Sequence, residues 1–325
     1  MDELRGRQAT WRFDGETVFI RYATGWRVHP LLKELAQVDV PVAAIAAVEF
    51  TPGSGRGKKW QIRLRLRDRA DPFAAVGAML TEDGQPFLLA GDAKNHLVAE
   101  YYADQLAFSV DAMREREQDG GSAACPNPEK VALGLVPPPP LHIQTTEGTA
   151  SFDGTSLRLG WSDGSAAKRK LQRREFELGS IRRVETTPSD GWNYGFLRVV
   201  PRDASDDSTG KPEKNLCCLL NDGKREEALS LLMAATVTAH LWAARGGEEA
   251  PALDAGANTG AAVTAGAAVA EIASGLARAV RPDGGTDTDA QVIYDRIREL
   301  GRLHAEGLLT DEEFGAKKAE LLERL

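Results

Sequence analysis

Apolar residues fall on every second position in short runs along this chain, and the runs come in two sets. Val18, Ile20 and Tyr22 follow an Asp14-Gly15 turn, and Leu157, Leu159 and Trp161 follow Asp153-Gly154. A period of two with one apolar face is the pattern of a half-buried strand, and Asp-Gly suits the positive φ angles of a tight hairpin. The cleanest strand is Trp60-Gln61-Ile62-Arg63-Leu64-Arg65-Leu66-Arg67, apolar on one face, with Arg63, Arg65 and Arg67 on the wet one. Phe196-Leu197-Arg198-Val199-Val200 is its relative in the second set, with Gly195 in the place of Trp60. Each set closes with a further apolar strand, Phe87-Leu88-Leu89 or Leu216-Cys217-Cys218-Leu219-Leu220. The spacing then becomes helical. Leu97, Tyr101, Leu106 and Val110 are expected to be buried on one helix, and Leu229, Leu232, Met233, Val237 and Leu241 on the other.

The chain is therefore a duplication. Phe13-Asp14-Gly15 recurs as Phe152-Asp153-Gly154, and the block Pro41 to Pro52 lines up with Glu177 to Pro188. The pattern predicts a mainly β protein with added α, each copy running strands first and one helix last. The copies span 8–116 and 141–243 and are read as joined beads, connected by a linker over 117–140 with Gly120-Gly121 and Pro137 to Pro140. Residues 244–290 form an Ala- and Gly-rich tether in which Val269, Ile272, Leu276 and Val280 recur at helical spacing. Residues 291–325 read as a helical hairpin whose second helix starts at Thr310, with Glu313 at capping-box distance.

A length of 325 residues suits two domains, and 42% hydrophobic with 27% charged residues is ordinary for a globular protein. A net charge of −8 disfavours nonspecific nucleic-acid binding. Cys125, Cys217 and Cys218 make no disulfide framework, and the N-terminus lacks an apolar leader. The expectation is a cytoplasmic protein, with membrane association as the variant.

The segment Leu300-Gly301-Arg302-Leu303-His304-Ala305-Glu306-Gly307-Leu308-Leu309-Thr310-Asp311-Glu312-Glu313-Phe314-Gly315-Ala316-Lys317-Lys318 closely resembles the SHOCT (short C-terminal domain) module. The duplicated Phe-Asp-Gly units resemble an actinobacterial domain of unknown function that occurs in tandem before such a module. That resemblance implies a pleckstrin-homology-like fold: two strongly bent antiparallel sheets, each capped by a C-terminal helix. It implies no established activity, and a C-terminal module that serves oligomerisation or interaction.

The residues themselves point away from catalysis. Asp14 and Asp153 precede glycines in hairpins, where turn chemistry accounts for them. The five histidines are scattered singly, without metal-ligand spacing or a nucleophile elbow. No catalytic residue, metal site or cofactor is expected. The loop Gly53-Ser54-Gly55-Arg56-Gly57-Lys58-Lys59 is not a Walker loop, because Pro52 stands at the first-glycine position and a strand follows. Its Arg56, Lys58 and Lys59 are candidates for weak binding of an anion or anionic lipid, on the analogy of the basic strand loops of pleckstrin-homology folds. In the C-terminal hairpin, Leu300, Leu303, Leu308, Leu309, Phe314 and Leu321 supply more apolar surface than two short helices can hide. They are the candidate interface for a protein partner or a second copy. The favoured function is a non-enzymatic scaffold, with a peripheral membrane binder and an enzyme with an inter-domain site as its rivals.

Overall fold

In copy one, β1 (Glu3–Arg5), β2 (Ala9–Phe13), β3 (Thr17–Tyr22) and β4 (Gln37–Pro41) form one antiparallel sheet in that order, and β5 (Ile45–Thr51), β6 (Lys59–Leu66) and β7 (Leu88–Asp92) form a second. A helix of 23 residues, α3 (His96–Gln118), follows. Short helices α1 (Pro30–Leu35) and α2 (Pro72–Ala75) interrupt the strands. Copy two repeats the plan. Its first sheet is β8 (Leu141–Gln144), β9 (Gly148–Phe152), β10 (Ser156–Trp161) and β11 (Arg173–Glu177), with α5 (Ala166–Leu171) before β11. Its second is β12 (Ile181–Thr187), β13 (Gly195–Pro201) and β14 (Cys218–Asn221), followed by α6 (Gly223–Arg245). This computed structural model describes residues 3–53, 59–77, 80–118, 127–203 and 210–245. The expected tether and C-terminal hairpin lie outside them.

The shared sequence features do the same job in each copy. Asp14 Oδ1 accepts from the amides of Glu16 and Thr17, and Asp153 Oδ1 from those of Thr155 and Ser156. Gly15 and Gly154 take φ of 104° and 101°, which a side chain would strain. Tyr22 and Trp161, the last apolar residues of β3 and β10, are buried and pin the first sheet to the second through their polar tips. Tyr22 Oη donates to Pro86 O at 2.9 Å, and Trp161 Nε1 to Cys218 O at 3.1 Å. Pairing slips by a residue between Ile45 and Ala47 in β5, and between Ile181 and Arg183 in β12. The carbonyls exposed by these bulges are taken by arginines near the helix ends: Arg114 donates to Ala46 O, and Arg245 to Arg182 O.

One core position is filled in opposite ways. In copy one Trp60 is fully buried opposite Gly91, where any Cβ would run into the indole. In copy two Gly195 faces the buried Asn221. The larger side chain has crossed from one strand to the other, and it is smaller in copy two, so the packing around it differs.

The copies pack on each other instead of hanging apart. They share one hydrophobic core and belong to one compact unit, Met1–Ala252. Part of the expected linker is the helix α4 (Pro128–Gly134), with Asn127 as its cap and Val131 and Ala132 buried. The signal was present in the sequence, an Asn cap followed by Pro at the first helical position. α6 sits between the copies, touching α1 and α2 of copy one as well as α4, β12 and β13. Thr186 Oγ1 donates to Val76 O across the junction at 2.9 Å, and Arg69 pairs with Glu129 at 3.5 Å. Among the described residues α6 alone is long and apolar enough to cross a membrane. Its all-round apolarity has a plain cause here, because it is covered from both sides.

α2, which packs on α6, begins at a titratable cap. The half-buried Asp71 accepts from the amides of Phe73 and Ala74 at 3.0 and 2.9 Å. Burial pushes its pKa up to about 6, against the pull of those two hydrogen bonds. A folded pKa above the unfolded one means that this carboxyl's contribution is fully present at low pH and is lost as pH rises through about 6. Asp71→Asn keeps an acceptor at the cap and removes the titration. Relative to this variant, the wild type is expected to lose about 2–3 kcal/mol between about pH 4 and about pH 7 in urea unfolding. A pH-independent difference would contradict the assignment.

Candidate functional site

Of the basic loop, Arg56 and Lys58 lie outside the described residues. Lys59 opens β6, is exposed and stands opposite Asp92 on β7. Asp92 in turn accepts from Arg7 at 2.6 Å, and that hydrogen bond and charge hold its carboxyl below the usual range. The apolar set Leu300, Leu303, Leu308, Leu309, Phe314 and Leu321 also lies outside the described residues, as does the stretch Val269 to Val280. The recurring Glu49 and Glu185 are engaged by arginines, Arg65 in copy one and Arg183 and Arg198 in copy two. His29 caps α1, and His240 meets Phe152 edge to face at 5.1 Å. Among the described residues no group of three His, Cys, Asp or Glu side chains is placed to hold a metal ion.

Two surfaces stand out that the sequence pattern did not single out. The first is a basic cavity of about 700 Å³ in copy two, between β11, β13 and the segment leading into β14. Arg174, Arg198, Lys211 and Lys214 line it together with the acids Glu175 and Asp203, a positive excess, over the apolar Phe176 and Leu216. Arg174 lies over the Phe176 ring at 4.8 Å and donates to Cys217 Sγ at 3.3 Å. Arg198 lies over Phe196 at 4.9 Å, and its buried Nε has no hydrogen-bond partner among the described residues. Burial pushes the Cys217 thiol up, more than Arg174 and Arg198 draw it down. A thiol so held is a poor nucleophile, so the chemistry this cavity offers is attraction of negative charge. Arg174 and Arg198 lie on strands of different sheets, and Lys211 and Lys214 on the segment before β14, so the packing of the two sheets gathers them.

The second surface is the outer face of α3. Leu97, Tyr101 and Phe108 are 67%, 58% and 73% exposed, so the expectation that Leu97 and Tyr101 are buried is corrected. The helix carries two apolar stripes, and the one facing the sheets is Ala99, Tyr102, Ala103, Leu106 and Val110. Helical spacing identifies a stripe without saying which one turns inward. Glu100 and Asp104 lie on the outer side beside the exposed stripe.

Copy two also buries an ion pair that has no counterpart in copy one. Lys168 Nζ donates to both carboxylate oxygens of Glu147 at 2.8 Å and to Pro212 O at 3.1 Å. Glu147 Oε2 also accepts from the Leu220 amide at 2.8 Å. The corresponding third residue of α1 is Leu32, and the residue before β2 is Gln8. With both members 4% exposed or less and their hydrogen bonds internal, this pair joins α5, β14 and the β8–β9 turn, and offers no ligand a way in.

Comparison with known proteins agrees with the duplicated architecture. Residues 11–107 and 150–238, one stretch in each copy, match the family described as Domain of unknown function (DUF4429). Residues 295–322 match the Short C-terminal domain, SHOCT. No curated protein matches the chain. Since the two family matches coincide with the two strands-then-helix copies, the chain belongs to the DUF4429 family, carrying that domain in tandem ahead of a SHOCT domain.

Proposed function

We propose that this protein is a non-enzymatic interaction protein, a scaffold whose two packed copies present a contact surface and whose C-terminal hairpin serves as an oligomerisation or partner-binding module. One observation carries this: α3 turns Leu97, Tyr101 and Phe108 to solvent, whereas the equivalent helix α6 is covered on both sides. Large apolar side chains grouped on one face are characteristic of contact surfaces. In cell extract the full-length protein is expected to elute above its monomer mass, and Tyr101→Glu with Phe108→Glu to shift it down. The free energy of unfolding should stay within about 0.5 kcal/mol of wild type, because the substituted side chains are exposed. Superimposable elution profiles would argue against the proposal.

The basic cavity favours a second function, binding of a phosphorylated anionic ligand, with the Arg56, Lys58 and Lys59 loop as the rival location. Arg and Lys clusters over an apolar floor suit phosphate groups through charge-assisted hydrogen bonds. Inositol hexakisphosphate serves as the probe in calorimetric titration. Arg174→Ser with Lys214→Ser is expected to weaken binding by about tenfold or more. An equal loss in the Arg56, Lys58 and Lys59 triple Ser variant alone would move the site to copy one.

A further inference from the structure

The contact between the two copies is not two-fold. A two-fold arrangement that placed α1 against α6 would also place α5 against α3. Instead α1 packs on α6, while the main neighbours of α3 all belong to its own copy: β1, β5, β6 and the turns around them. The interface is head to tail, the short-helix face of one copy meeting the long-helix face of the next. Such a contact leaves one unused half at each end of the pair. These halves are α3 of copy one and α5 of copy two.

The two free halves are complementary. α3 offers Leu97, Tyr101 and Phe108 flanked by the exposed acids Glu100 and Asp104. α5 offers Leu171, 44% exposed, flanked by the exposed bases Arg169, Lys170 and Arg173. Within the chain the corresponding position on α1 is Leu35, which is buried in the shared core.

We propose that the outer face of α3 docks on α5 of a second copy of this chain, repeating between molecules the contact that α1 and α6 make within each one. This rests on α3 being a contact surface, as proposed above. Because the contact is head to tail, an open dimer still carries one free α3 and one free α5, and association continues past it with rising concentration until a ring closes. α5 is more charged and less apolar than α1, so the contact between molecules depends on salt and is weaker than the one inside.

The test uses full-length protein and two neutralised variants, Asp104→Ser with Phe108→Ser on α3, and Arg169→Ser with Lys170→Ser on α5. In sedimentation at low salt, the wild-type mean mass is expected to rise with concentration and to fall on adding salt. Each variant alone is expected to lose that growth. An equimolar mixture should form pairs that do not extend, since each variant keeps the half that the other lacks. A zero-length carboxyl-to-amine cross-linker applied to mixed isotopically light and heavy wild-type protein should join Glu100 or Asp104 of one chain to Lys170 of another. This link reports the contact even if the C-terminal hairpin also associates. Growth lost in the α3 variant but kept in the α5 variant overturns the inference and leaves α3 a contact surface for something else. Absence of the inter-chain link also overturns the inference, and growth unchanged in both variants overturns the α3 reading with it.

Discussion

Lys168→Ala is expected to destabilise the two-copy body by about 3–5 kcal/mol, because it leaves the buried Glu147 carboxylate without its cation. Lys168 is fully buried and Glu147 is 4% exposed, so water cannot replace the lost partner without opening the fold. The protein itself suggests the rescue. Copy one builds the same places with Leu32 and Gln8, an uncharged pair, and a buried ion pair is often no more stable than a well-packed neutral replacement. Lys168→Leu with Glu147→Gln is therefore expected to recover most of the loss in urea unfolding, since the side-chain carbonyl of the introduced glutamine can still accept from the Leu220 amide. A double variant no more stable than Lys168→Ala would show that the ion pair does something in copy two that neutral packing cannot. The loss should also appear in a single transition, because both copies share one core around α6. Two separate transitions would contradict that shared packing.

Trp60→Ala is expected to cost about 3–5 kcal/mol, as the largest buried side chains do when truncated. Trp60 fills the space over Gly91, and copy two shows the alternative, with Gly195 on one strand and Asn221 on the other. Gly91→Val should therefore be strongly destabilising in the wild type, where the indole blocks it. In the Trp60→Ala background it should be tolerated and should restore part of the stability. The double-mutant cycle is expected to give a coupling above about 1 kcal/mol. Simple additivity would mean that the two positions do not compete for one volume.

Copy two differs from copy one in what its interior contains and in what its outer helix touches, and neither difference follows from local pattern. The Lys168–Glu147 pair joins residues 21 apart in the chain, and it forms because α5 folds back over the β8–β9 turn. α5 has a readable start in Ser165, whose side chain caps the helix, but its end at Gln172 takes a φ of 63° with no glycine to announce it. The same holds at Ala36 after α1, with φ of 56°. Tertiary packing over-determines both positions and overrides the usual preference.

The amino-acid sequence by itself determined the duplication, the Asp-Gly hairpins, the alternating strands and the two long helices. These depend on periods of two and of about four residues and on turn chemistry, all of which act over short stretches of chain. Only the tertiary structure decided which stripe of α3 turns outward, that α6 is the shared centre of both copies, and where four cations meet around a cavity. Those outcomes depend on contacts between residues far apart in sequence. An apolar stripe records that a face can be buried, and its neighbours in space decide whether it is.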